Sequence, residues 1–167
     1  IQEKYSDFNP QAFVVLSGNK EYANQIVDSN ADGHIDQIIF ILNIDANGLL
    51  PVTVRYAKTG EQTREYIKRT QAELSHKIGG KFEDRKYIGG NFKNVDFLRV
   101  PPKHTDHSFF IRYEGPGWES DKVGYRFYLD WRNATDIFGK KVADMVLQNV
   151  GQDGFDSYHE MADWGMD

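Results

Sequence analysis

KVGYRFYLDWR, residues 122–132, is the stretch on which the fold class turns. Val123, Tyr125, Phe127, Leu129 and Trp131 alternate with Arg126, Tyr128, Asp130 and Arg132. Strand side chains point to opposite faces in turn, whereas a helix would need apolar residues three and four apart. The pattern is a long strand whose first set faces a core. The second set forms an opposite face of charge and phenol.

Outward from this stretch, SFFIRYE (108–114) reads as a second strand, and Gly115, Pro116 and Gly117 make a tight turn presenting Glu114, Trp118 and Glu119. Residues 144–150 read as another strand, and 157–164 as one or two helical turns capped by Asp156 or Ser157. Toward the N-terminus, residues 12–17 form a short strand. The β-branched run QIIFILNI (37–44) is a buried strand, and Asn47–Gly48 turns it into a return strand at 51–57. Residues 61–78 have a helical composition, but Ala72, Leu74, His76 and Ile78 alternate, so strands are expected after Arg69. Gly79–Gly80 and Gly89–Gly90 then read as hairpin turns, and 98–106, with Pro101–Pro102, as a loop. Many short strands with little helix predict a mainly β protein, an antiparallel β-sandwich built as one domain over residues 1–167.

The 167 residues, 40% hydrophobic and 27% charged, suit one globular domain. No apolar run reaches the length of about 18 residues that a membrane span needs. A net charge of -5, with no Lys/Arg run beyond two residues, argues against nucleic acid. The absence of cysteine excludes disulfides, thiolate metal sites and a Cys nucleophile. G-x-S-x-G, P-loop and G-x-G-x-x-G motifs are absent, which disfavours serine hydrolases and nucleotide folds and predicts no organic cofactor. The chain starts at Ile1 without a Met, as a trimmed or mature product would.

Three clusters carry candidate chemistry. Asp28 to Asp36 read D-S-N-A-D-G-H-I-D, the first nine positions of a calcium loop. Side chains of Asp28, Asn30, Asp32 and Asp36 and the His34 carbonyl would ligate a structural Ca2+. The twelfth position is Ile39 rather than Glu, so the loop is not an EF-hand, and an Asx-turn loop without metal fits the same residues. The second cluster is the row Arg126, Tyr128, Asp130 and Arg132, with Glu114 and Trp118 beside it. It reads either as a site for an acidic sugar, with arginine forks for its carboxylate and an aromatic platform, or as a solvated ladder of ion pairs. The third is Y-H-E-M-A-D (158–163). On a helix His159 and Asp163 share a face, and His159 with Tyr158 would move protons. His104 and His107, near the proline loop, are further candidates.

Three strings resemble one family: DSNADGHIDQIIFILNI, YEGPGWESDKVGYRFYLDWRNATDIFGKK and VGQDGFDSYHEMADWGMD. They look like the Bacteroidetes domain-of-unknown-function family four-eight-six-one, over nearly the whole chain. The resemblance implies an exported, periplasmic or secreted protein from gene clusters that break down ulvan or pectin. It implies a longer domain than these residues, of which this is the N-terminal part, in a galactose-mutarotase-like sandwich. It also implies a dehydratase or lyase acting on a terminal uronate of an acidic oligosaccharide. His159 and Tyr158 would then transfer protons, Arg126 or Arg132 would take the carboxylate, and Trp118 would stack on the ring. Glu114, Tyr128, Asp130, His104 and His107 complete the expected substrate-binding set. A carbohydrate-binding module, a mutarotase-like epimerase, and a hydrolase using Glu114 and Asp130 are the alternatives. A buried His159 facing the charged row would favour an enzyme, and an exposed one a binding module.

Overall fold

The computed structural model describes residues 1–167 except Thr63, Phe155, Asp156 and Asp167, and the side chain of Ser157. The helix caps expected at Asp156 and Ser157 therefore lie outside the described residues. The chain divides into two compact units, Ile1–Ile67 and Lys68–Asp167. Both are built from antiparallel strands, and their helical segments among the described residues are three 3-10 turns. The protein is mainly β, as the alternation predicts. No helix among the described residues is long and apolar enough to cross a membrane.

In the first unit, β1 (Phe13–Ser17), β2 (Lys20–Tyr22), β3 (Asn24–Val27), β4 (Gln37–Phe40) and β5 (Thr53–Tyr56) form a three-stranded sheet, β2-β1-β5, and a β3–β4 hairpin. Phe8, Phe13 and Val15 make its core, with Ile38 and Phe40 of β4 packed against them. Two expectations are corrected here. The run 37–44 is a strand only to Phe40 and is half-buried on one face, while Ile39, Ile41 and Ile44 are exposed. The turn at Asn47 forms, with Gly48 N–H donating to Asp45 O at 2.8 Å, but β5 pairs with β1, Val15 opposite Val54, and not with β4. Four consecutive buried residues, Ala12 to Val15, make β1 the strand with most to gain from a neighbour on each edge.

The second unit contains β6 (Thr70–Glu73), β7 (Ser75–Glu83), β8 (Lys86–Asn94), β9 (Gly117–Ser120), β10 (Val123–Phe127), β11 (Thr135–Lys140) and β12 (Gly165–Met166). Five of these make one sheet in the order β12-β11-β10-β9-β6, and β7 with β8 forms a separate hairpin. The double-glycine pairs are not its turns. Gly80 faces Gly89 inside the ladder, and the hairpin reverses at Asp84–Arg85, between Glu83 and Lys86. Residues 108–114 do not form a strand: a single bridge, His76 to Ile111, is followed by a 3-10 turn at Arg112–Glu114. Residues 144–150 hold a 3-10 turn at Leu147–Asn149, again not a strand.

The largest correction concerns the deciding stretch. The strand stops at Phe127, and its buried positions are Gly124 and Arg126, the face expected to meet solvent. Trp131, expected in the core, is 76% exposed. The register explains how a charged face is buried. Gln71, Glu119, Gly124 and Phe138 lie in one row across four strands, and Glu73, Gly117, Arg126 and Asp136 in the next. Gly117 and Gly124 leave hollows. A Cβ on Gly117 would lie 2.6 Å from the Tyr113 hydroxyl, and one on Gly124 3.2 Å from Phe138 Cβ. Tyr113, Phe138, Leu147, Val150 and Tyr158 fill this face as a core cluster. The opposite face carries Ala72, Trp118, Tyr125 and Ile137 in register.

Candidate functional site

The charged side chains on the inner face are matched to partners. Glu119 accepts Lys140 Nζ at 2.5 Å, Gln71 Nε2 at 2.5 Å, and the N–H groups of Val146 and Leu147 at 2.8 Å each. Arg112 pairs with Glu73 and donates to the carbonyls of Leu147 at 3.2 Å and Gln148 at 2.6 Å. The Tyr113 hydroxyl donates to Glu73 at 2.8 Å; burial, reinforced by that carboxylate, pushes the phenol far above its ordinary value. Arg126, fully buried, reaches Asp136 at 2.8 Å and Tyr128, and lies 3.6 Å from Glu114. These pairs hold the frame, because a buried charge persists only when partnered.

On this frame two segments, 101–116 and 128–134, bring most of the expected residues together. Glu114 is their junction. It accepts the His107 N–H at 2.7 Å, pairs with Arg132 Nη2 at 2.6 Å and receives the Tyr158 hydroxyl at 3.4 Å. Arg132 also grips Asp130 through Nε at 2.9 Å and Nη2 at 2.5 Å, and lies 3.7 Å from the centroid of the Tyr128 ring. Burial alone would raise the Asp130 carboxyl, but the Arg132 hydrogen bonds outweigh it and hold it below the ordinary value. The same bonds hold the Arg132 guanidinium firmly protonated. His104 donates to or accepts from Ser108 Oγ at 2.9 Å through Nδ1, and its buried Nε2 has no hydrogen-bond partner among the described residues. Burial lowers its pKa, against the pull of Asp130 and Glu114, so it is a neutral imidazole at working pH.

The outer part of this region is an aspartate–histidine pair. Asp106 receives Thr105 Oγ1 at 2.6 Å, Arg85 Nη2 at 2.7 Å and His107 Nδ1 at 3.3 Å, and the Trp131 side chain stands nearby. Thr105 is the largest influence holding its carboxyl well below the usual carboxylate range, and Trp131, His107 and Arg85 add to it. A carboxylate on Nδ1 selects the tautomer whose basic lone pair is on Nε2. The His107 side chain is 45% exposed. Five of the eight non-glycine residues with positive φ among those described fall here: His107, Phe109, Tyr113, Glu114 and Asn133. Such backbone is costly and clusters where surrounding structure over-determines it for function.

Other expected residues lie elsewhere. Tyr158 is buried in the core, with the Arg126 guanidinium over its ring. His159 is exposed beside it, at the end of the 3-10 turn Ser157–His159, so no helix aligns it with Asp163. Trp118 stacks on Tyr125 at 5.7 Å on the outer sheet face. In the first unit, Asp28, Asn30, Asp32 and Asp36 sit in the expected strand–loop–strand setting, between β3 and β4. Asp28 accepts the N–H groups of Asp32 and Gly33, Asn30 accepts Asp32 N–H, Asp32 accepts His34 N–H, and Asp36 accepts Ser29. Among the described residues no three His, Asp or Glu side chains converge as metal ligands. The sequence reading missed Arg85 and Asp106 altogether, and it placed Trp131 in the core. The one signal available was Asp106 next to His107 in a loop that holds two prolines.

A family model described as Domain of unknown function (DUF4861) matches residues 1–167. No curated protein and no solved structure matches the chain.

Proposed function

The chain belongs to the DUF4861 family, and on that premise we propose that it acts on acidic oligosaccharides, eliminating the C4 substituent of a terminal uronate. The observation that supports this most is the Asp106–His107 pair, set on strained backbone against the Glu114–Arg132–Asp130 cluster. Elimination needs a base for the proton α to the carboxylate. His107 Nε2 takes that proton from C5, the C4–O bond breaks, and the C4=C5 double bond forms. The imidazolium then returns the proton to the departing oxygen. Asp106 holds the ring's orientation and stabilises the imidazolium, as a carboxylate does for a catalytic histidine. Glu114 fixes the backbone from which the ring projects. Arg126 and Arg132 hold this frame rather than touching substrate, because the first is fully buried and the second is committed to Asp130 and Glu114.

The resemblance supports an exported, periplasmic or secreted, protein whose antiparallel sheets are part of a larger mutarotase-like sandwich. The D-x-N-x-D-G-x-x-D spacing of Asp28 to Asp36 supports a structural Ca2+ in that loop, where each carboxylate oxygen keeps a second lone pair for a cation. One observation favours a different reading. His159 is exposed, and so are the aromatic faces of Trp118 and Trp131, as a non-catalytic sugar-binding module would have them.

The test follows the ultraviolet absorbance of the conjugated double bond while the protein is incubated with uronate-ended oligosaccharides from ulvan and pectin. The rise is expected for the wild type, is lost in His107→Ala and persists in His159→Ala. Loss in His159→Ala alone would return the base to His159. No rise on any substrate, with calorimetric binding intact, leaves the binding module.

A further inference from the structure

We infer that Arg85 and Trp131 form the recognition subsite for an acidic sugar, Arg85 for its carboxylate and Trp131 for its ring; the choice of ligand class rests on the proposed function. Arg85 is anchored on the Asp106 carboxylate, Trp131 stands beside the same group, and both face solvent. Arg85 Nη2 donates to Asp106 Oδ1 at 2.7 Å and reaches Thr105 Oγ1 at 3.3 Å, and the Trp131 side chain, 76% exposed, stands beside the same carboxyl. Arg85 is 70% exposed. Its Nε and Nη1 have no hydrogen-bond partner among the described residues, so each is left to donate a charge-assisted hydrogen bond to a ligand carboxylate.

The other arginines around the frame cannot take this role. Arg112 and Arg126 are buried, and Arg132 spends Nε and Nη2 on Asp130 and Glu114. Lys86, next to Arg85 in the hairpin, donates to the His107 carbonyl at 2.8 Å and lies 4.3 Å from the Phe109 ring centroid, which adds a fixed positive charge. Trp131 is a large apolar surface left in water beside Asp106. The C–H face of a pyranose packs on such a surface while the hydroxyls stay solvated. Asp106 gathers Arg85, Trp131 and His107 around itself, so the carboxylate and ring sites stand within one side chain's reach of the base.

Calorimetric titration uses a glucuronate-ended oligosaccharide and the same compound as its methyl ester. Arg85→Ala is expected to weaken the acid about tenfold or more and leave the ester unchanged, as loss of one charge-assisted pair does. Arg85→Lys keeps the charge but loses the Nε and Nη1 donors and falls between. Trp131→Ala weakens acid and ester by similar factors. The subsite is overturned if Arg85→Ala binds the acid as the wild type does, if Trp131→Ala binds both as before, or if the wild type binds neither compound. Binding with the expected pattern but without unsaturated product keeps the subsite and removes the elimination reading. Unsaturated product at an unchanged KM in both variants does the reverse.

Discussion

Removing the Glu119 side chain takes the counter-ion from the buried Lys140 and the acceptor from the N–H groups of Val146 and Leu147. Glu119→Ala is therefore expected to cost about 3–5 kcal/mol in urea unfolding, and a second change, Lys140→Met, to recover part of it by removing the unpaired charge. Gly115 is equally exacting, since a Cβ there would run into the Phe127 carbonyl, and neither atom can swing away. Gly115→Ala should destabilise by about 3 kcal/mol or more, and activity should fall with it because Glu114 is the adjacent residue. His104 gives a pH signature. Its folded pKa lies below the ordinary 6.5, so between those two values the unfolded chain binds more protons. Stability is then complete above 6.5 and declines as the pH falls through that window. His104→Gln should flatten the decline in urea midpoints.

At the scale of elements, the strands after Arg69 and the β1 run were legible because apolar alternation and β-branching survive in short windows. The face of β10 was not. Val123, Tyr125 and Phe127 are half-exposed while Arg126 is buried, and a period of two is the same whichever face is inside. What decides the matter is pairing across the sheet, with Asp136 opposite Arg126, and pairing of that kind is absent from any local window. The site was half legible for the same reason. Glu114, Asp130 and Arg132 announced themselves as charge beside a turn, but Arg85 reaches Asp106 from a hairpin tip across 21 positions of sequence. Within that hairpin, Gly90 adopts φ 78°, and a Cβ there would come within 2.6 Å of the Ile78 carbonyl. Gly90→Ala should speed amide exchange across β7 and β8 before it affects the five-stranded sheet. The 28–36 loop has its own prediction. Calcium at about a hundredfold excess over Kd should stabilise by about 2.7 kcal/mol, and Asp28→Asn with Asp32→Asn should abolish the gain in thermal midpoint.

Across the whole molecule, the carboxyls of Asp7, Asp36, Asp106 and Asp130 all lie below their ordinary value of 3.8. The leading influences are the Lys58 bond on Asp7, the Ser29 bond on Asp36 and the Thr105 bond on Asp106. For Asp130, burial works the other way and Arg132 prevails. A depressed carboxylate contributes stability that is fully present above its unfolded value and is lost as the pH falls toward its folded one. Both units contain such groups, so urea midpoints of both should drop on going from about pH 6 to about pH 3, and Asp130→Asn should blunt the drop in the second unit. The three tryptophans occupy three surroundings in that second unit: Trp118 stacked on Tyr125, Trp131 open to solvent on Asp106, and Trp164 packed against the Phe138 cluster. The protein consequently carries its own set of fluorophores, with Trp131 emitting furthest to the red and Trp164 furthest to the blue. A soluble quencher reports the Asp106 surface through Trp131 and the sheet's interior through Trp164, from a single unlabelled sample.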